Sequence, residues 1–164
     1  MIIIRNVRSA DAEAILRIYA PFVLDSAVSF ELELPSVEDM QKRIAHYTEK
    51  YPWIVAEENG EVIGYAYASS YRERLAYQYN VETSVYIDQQ HQRKGVAKKL
   101  YDELFSILKE KEFYQAFAVI TMPNEKSEAF HKANNFNSFA VFENVGFKFN
   151  QWHNVLWMSR KIGD

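Results

Sequence analysis

The stretch Val81-Glu82-Thr83-Ser84-Val85-Tyr86-Ile87-Asp88-Gln89-Gln90-His91-Gln92-Arg93-Lys94-Gly95-Val96-Ala97-Lys98-Lys99 decides the fold, because it passes from a strand into a helix across one polar loop. Residues 81–87 are rich in the β-branched and aromatic side chains that suit a pleated surface. From Gly95 to about Lys111 the period changes from two to 3.6. Val96, Leu100, Leu104, Ile107 and Leu108 then make a buried face, with Lys98, Lys99, Asp102 and Glu103 outside it. A helix start leaves backbone N–H groups unpaired and carries partial positive charge, so it is a ready site for a phosphate. Gly95 lets the backbone approach closely, Ala97 keeps bulk away from the entrance, and Arg93, Lys94 and Lys98 add cationic charge. The spacing is neither G-x-x-x-x-G-K-[ST] nor G-x-G-x-x-G, so neither a P-loop nor a dinucleotide fingerprint is present.

Outward from this segment the chain alternates strands and helices. Ile2 to Ile4 predicts a buried first strand, and Ser9 is expected to cap a helix with an apolar stripe of Ile15, Leu16, Ile18, Tyr19 and Phe22. A second helix opens at Ser36, with Glu38 and Asp39 in its first turn where the macrodipole favours acids. Met40, Ile44 and Tyr47 share its apolar face, and Pro52 ends the pattern. Asn59-Gly60 between the apolar runs 53–58 and 61–67 is a hairpin signal, since both turn residues must accept positive φ. Ala116 to Thr121 predicts a short buried strand, and Asn124 to Asn135 a helix after Pro123. Ser138 to Phe149 and Gln151 to Arg160 predict closing strands around a turn at Gly146. The order β-α-α-β-β-β-α-β-α-β-β points to an α+β (mixed α/β) domain over residues 1–164. It has a mostly antiparallel twisted sheet of about seven strands flanked by about four helices.

Composition narrows the functional classes. A chain of 164 residues suits one domain with a sizeable core. Zero cysteines exclude disulfides, a thiolate metal site and a cysteine nucleophile. The histidines His46, His91 and His153 show no metal-ligand spacing, so no metal is expected. Lys+Arg 19 against Asp+Glu 22 gives a net charge of -3, which supplies no general field for nucleic acid. The apolar start is shorter than a secretory core, and no run approaches the roughly 20 apolar residues of a membrane helix. A cytoplasmic location is the expectation. Aromatics are in excess, at 15%, and can fill a core, an interface or a pocket.

Gln92-Arg93-Lys94-Gly95-Val96-Ala97 resembles the Q/R-x-x-G-x-G/A signature of the GNAT superfamily of acyl-CoA-dependent N-acetyltransferases. The similarity runs nearly end to end and narrows to the phosphinothricin acetyltransferase-like branch. It is carried by Tyr51 to Glu57, Gly64 to Ala68, Val81 to Ile87, Pro123-Asn124, Phe130-His131-Lys132, Val145 to Phe149 and Gln151 to Val155. The resemblance implies a GNAT fold and acetyl-CoA as co-substrate. Its pyrophosphate would lie on the amides of residues 93–98, with Val85, Tyr86, Ile87 and Asn124 along the pantetheine arm. It implies Glu82 as general base and places His131 where a proton donor to the departing thiolate, or a substrate ligand, would stand. Such chemistry needs a base, because freeing an alkyl ammonium of pKa ~10.4 at neutral pH costs about 4–5 kcal/mol. An ideal strand puts Glu82, Ser84 and Tyr86 on one face, and the branch implies a bulge that would alter this parity and free backbone groups for the co-substrate. The branch commonly has Leu-Gly-Phe where this chain has Asn134-Asn135-Phe136, and asparagine is the best substitute for the left-handed turn.

The connection Tyr71 to Tyr77 resembles the branch's substrate loop. Arg72 or Arg74 would clamp a carboxylate, phosphinate or sulfone-like oxygen, and Phe30 and Tyr77 would supply apolar walls. Implied substrates are small amines of the phosphinothricin, methionine sulfone and methionine sulfoximine type, acetylated by direct attack. The branch also implies a homodimer, for which Phe142, Phe147, Phe149 and Trp152 would suit an interface. Three alternatives stay open: an acyl-CoA sensor without turnover, an acetyltransferase for a protein N-terminus or polyamine, and a nucleic-acid module built on Arg93, Lys94, Lys98 and Lys99. The net charge speaks against the last.

Overall fold

The computed structural model describes residues 1–163. Seven strands form one sheet: β1 (Ile2–Asn6), β2 (Trp53–Glu58), β3 (Glu61–Ser70), β4 (Asn80–Ile87), β5 (Gln115–Thr121), β6 (Asn137–Lys148) and β7 (Gln151–Lys161). Four α-helices flank it: α1 (Ala12–Leu24), α2 (Val37–Thr48), α3 (Val96–Glu110) and α4 (Glu125–Ala133). The strand order is β1-β2-β3-β4-β5-β7-β6. Every neighbouring pair is antiparallel except β4 with β5, so the sheet is mixed at that one junction. No helix among the described residues is long and apolar enough to cross a membrane.

Helix and turn chemistry is visible residue by residue. The Ser36 hydroxyl accepts from the Asp39 N–H at 3.1 Å and caps α2, a contact worth about 1 kcal/mol. Asn59 and Gly60 both have positive φ, as the β2–β3 hairpin requires. At the start of α1 the expected cap moves. Ser9 begins a short 3-10 turn, and Asp11 closes the entry by accepting from the Arg8 N–H at 2.7 Å while Arg5 grips both its oxygens. Gly146 is no turn either. It pairs with His153 inside the β6–β7 ladder, and the hairpin is closed by Phe149 and Asn150, both at positive φ.

The sheet has a core on each face. On one, Leu100, Leu104 and Leu108 of α3 pack over Ile54, Ile63, Val81 and Ala116. On the other, Ile15 and Ile18 of α1 with Met40 and Ile44 of α2 cover Trp53, Val55 and Tyr65. Each such side chain contributes about 1.5–3 kcal/mol on leaving water. Much of the aromatic excess lies here, with Trp53 stacked on Tyr67 at 4.4 Å and Tyr65 at 6.0 Å.

Candidate active site

The site lies where β4 and β5 part. Their parallel pairing covers only Asn80↔Gln115, Val81↔Ala116 and Glu82↔Phe117. From Thr83 onward β4 has no partner on that side, and a cleft of about 700 Å³ opens between the two strands and the starts of α3 and α4. The expected bulge in β4 is absent: its register with β3 runs unbroken from Val81 to Ile87. Divergence from β5 frees the backbone instead, and the ideal parity holds. Thr83 faces α3, while Tyr86 packs between Tyr19 and Tyr65 on the α1 side.

At the far end of β4 the loop residues 88–94 lead into α3. Gly95 is the N-cap residue at φ +77°, with no side chain capping the first turn, so that turn's amides face the cleft mouth. A β-carbon at Gly95 would meet no protein atom within 4 Å, so the glycine is needed for its left-handed backbone rather than for space. Arg93 also sits at positive φ, 60°. Val85, Tyr86, Ile87, Arg93, Gly95, Val96, Ala97, Lys98 and Asn124 all line the cleft. Lys94 does not. Lys98 is held in an ion pair by Asp102 one turn along, which draws its charge from the cleft mouth. Asn124 caps α4 through its side-chain oxygen, which accepts from the Ser127 N–H at 3.1 Å. Its amide nitrogen is left for another partner. An open helix start, a bare strand edge and a long apolar-walled cleft fit a molecule with a phosphate head and an extended amide arm.

Glu82 does not line the cleft; it stands beside it, next to Thr83 and on the last residue of β4 paired to β5. It is half-buried, and burial raises its carboxyl above the usual range, partly offset by the nearby Arg72 cation. Arg72 lies 5.2 Å from the Tyr71 ring, and Tyr71 stacks on Phe117 at 4.3 Å and meets Tyr77 edge-on at 5.6 Å. The structure thus gathers Glu82, Arg72 and Tyr77 around one aromatic cluster. Arg74 is exposed at the start of the 75–77 turn. Phe30 rests against Gly146 of β6, with its ring 6.1 Å from that of His153.

His131 is buried on α4 beneath the cleft. Its Nδ1 lies 2.7 Å from the Ser127 carbonyl oxygen, and its Nε2 is 2.9 Å from the Tyr101 hydroxyl. Tyr101 and Thr83, both lining residues, were not among the sequence candidates. Tyr101 carried one available signal: a tyrosine next to Leu100 in a buried helical stripe needs a polar partner.

The fold and cleft define an acyl-CoA-dependent acetyltransferase. The chain matches the acetyltransferase (GNAT) domain family over residues 4–157 and belongs to it. It is 32% identical over 157 residues to phosphinothricin N-acetyltransferase of Streptomyces viridochromogenes, covering 96% of this chain and 86% of that one. It is also 32% identical over 165 residues to the L-methionine sulfoximine/L-methionine sulfone acetyltransferase of Salmonella typhimurium, covering 98% and 95%. The crystal structure of a GNAT superfamily phosphinothricin acetyltransferase from Sinorhizobium meliloti in complex with AcCoA superposes with a TM-score of 0.94. Its identity is 36%, over 99% of this chain and 89% of that one.

Proposed function

We propose that this enzyme acetylates the α-amine of a small amino-acid-like substrate carrying a phosphinate or oxidised-sulfur group. The observation that supports the reading is a cleft whose mouth is the open start of α3, with the Glu82 carboxyl next to its lining residue Thr83 and within the field of the Arg72 cation. Bound acetyl-CoA would supply the activated acyl thioester. The amides of the first turn of α3 would hold its phosphates, and the unpaired edge of β4 from Val85 to Ile87 would hold its arm. Arg72 would orient an anionic or strongly polar oxygen of the acceptor, with Tyr77 as a wall. Glu82 takes a proton from the acceptor ammonium, leaving the free amine to attack the acyl carbon. Half-burial keeps Glu82 basic enough for that task. The test is a panel of phosphinothricin, methionine sulfone, methionine sulfoximine, spermidine and a peptide amine with acetyl-CoA, read as released thiol. Turnover of the first three is expected. Turnover of spermidine or peptide alone would move the substrate class, and silence with intact acetyl-CoA binding would make the protein a sensor.

The reading extends to assembly and location. Phe139, Phe142, Phe147, Phe149 and Trp152 of the β6–β7 hairpin are each about half exposed or more, a concentration of rings that a lone soluble chain rarely shows to water. Two copies joining through this hairpin would cover them. Sedimentation should give a dimer, and W152D with F147D should give a monomer. A supply of CoA thioesters in the cytoplasm supports that location for the proposed reaction.

A further inference from the structure

We infer that Tyr101 is a positioning residue that holds His131 as a neutral imidazole with its proton on Nδ1, so that His131 does not protonate the departing sulfur. The inference rests on the acetyltransferase reading of the cleft, and it takes the leaving-group proton away from His131.

The hydrogen-bond chemistry fixes the direction of each proton. A carbonyl oxygen only accepts, so the contact of 2.7 Å between Nδ1 and the Ser127 carbonyl requires the proton on Nδ1. In the neutral ring Nε2 then offers only a lone pair, and the Tyr101 hydroxyl at 2.9 Å must donate to it. The Tyr101 oxygen is left to accept from Thr83 Oγ1 at 3.4 Å, and the Ser127 hydroxyl lies 3.4 Å from Nδ1. Thr83, Tyr101, His131 and Ser127 therefore form one chain under the cleft, joining β4, α3 and α4.

The surroundings favour the uncharged ring. His131 is 5% exposed, among the edges of Phe130, Phe136 and Tyr101. Burial lowers its pKa and outweighs the Ser127 carbonyl, which as an acceptor favours the charged ring, while a donor on Nε2 stabilises the neutral form. The charged groups nearby do not reverse this. Arg160 of β7 bears on Tyr101 as a cation while lying 3.8 Å over the Phe105 ring and donating to the Asn134 carbonyl. Lys132 and Glu128 of α4 pair with one another. Tyr101, whose own proton is held more tightly because it is buried, is a poor acid. The proton balance then closes through Glu82. Two protons leave the nitrogen: the first passes from the ammonium through Glu82 to solvent before attack, and the second, once the N–C bond has formed and the C–S bonding pair has left on sulfur, passes through the regenerated Glu82 carboxylate to that sulfur.

The test reads the ring directly and needs no turnover. Side-chain nitrogen NMR of the full chain should show His131 protonated on Nδ1, with a midpoint below the ordinary histidine value of about 6.5. Y101F keeps the ring volume and removes the donor, so the His131 midpoint should rise toward that ordinary value. In kinetics H131Q, whose amide oxygen can accept from Tyr101, should stay within about tenfold of wild type with an unchanged pH profile, while H131A falls further. A proton on Nε2, or a wild-type midpoint near 6.5, overturns the inference. So does an equal loss of about 10²–10⁴-fold in H131Q and H131A together with loss of a basic limb in kcat. A silent acceptor panel with the NMR result intact overturns the acetyltransferase reading alone.

Discussion

The Phe30 ring lies on the backbone of Gly146: a β-carbon at residue 146 would stand 2.2 Å from Cζ and 2.3 Å from Cε2. Two residues further along β6, the buried Lys148 ammonium donates to the Ser29 and Val23 carbonyls at 2.7 and 2.6 Å. Strand β6 thus ties down the segment between α1 and α2 that carries Phe30. In G146A the ring must leave its seat, and a stability loss of about 1–3 kcal/mol is expected in urea unfolding. Adding F30A removes the obstacle, so the double variant should cost less than the sum of the two. Additive costs would show that the two residues do not share one contact.

The same pair shows where reading a sequence stops. Asn59-Gly60 and Ser36 are legible because the requirement is local: positive φ in a two-residue turn, and an oxygen for an open helix start. Gly146 looks like punctuation by the same logic, yet its small size answers to Phe30, a partner remote in the chain. The true turn contains Phe149 at φ 52°, which no local rule favours. Ser9 makes no cap and α1 starts without a side-chain cap, because Asp11 is drawn into an ion-paired cluster with Arg5 and Glu57 of β1 and β2. In the site, Gly95 stands out through its motif, and Glu82 only through the family resemblance, since a glutamate on a strand is by itself an ordinary sheet residue. Tyr101 does not stand out, because its contact with His131 exists only when α3 and α4 meet.

Gly95 supplies a left-handed backbone at the mouth of the cleft. An alanine there costs roughly 1–2 kcal/mol locally and tilts the open amides, so the rise in melting temperature caused by acetyl-CoA should shrink. G95D should abolish it by placing a carboxylate beside the phosphates. Because Lys98 is engaged by Asp102, K98A should weaken acetyl-CoA binding less than threefold. A full thermal shift retained in G95D would move the phosphate site elsewhere.

In the proposed mechanism Arg72 and Glu82 set the acid limb of the rate profile. The proposed base works as the carboxylate, so activity should rise with pH through a midpoint above that of an ordinary glutamate, owing to burial. The Arg72 cation favours the carboxylate and holds this midpoint down. R72Q should move the acid limb to higher pH and raise the acceptor KM, while E82Q should lower kcat by about 10²–10⁴-fold with acetyl-CoA affinity nearly intact. A limb that stays in place in R72Q would remove Arg72 from the neighbourhood of the base.

Glu82 also bears on stability, with a sign opposite to its value in the proposed reaction. Its carboxyl binds protons more tightly folded than unfolded, because burial disfavours the charge. Stability therefore falls as pH rises from the unfolded midpoint near 4.3 through the higher folded one, and the cost is complete above that. E82Q escapes this cost. At neutral pH it should unfold at a higher temperature than wild type while losing activity. At pH near 4, where Glu82 is protonated in the fold, the difference should shrink. Thermal unfolding at the two pH values decides the matter: an equal gain at both would mean that amide packing, not removal of a buried charge, stabilises the variant.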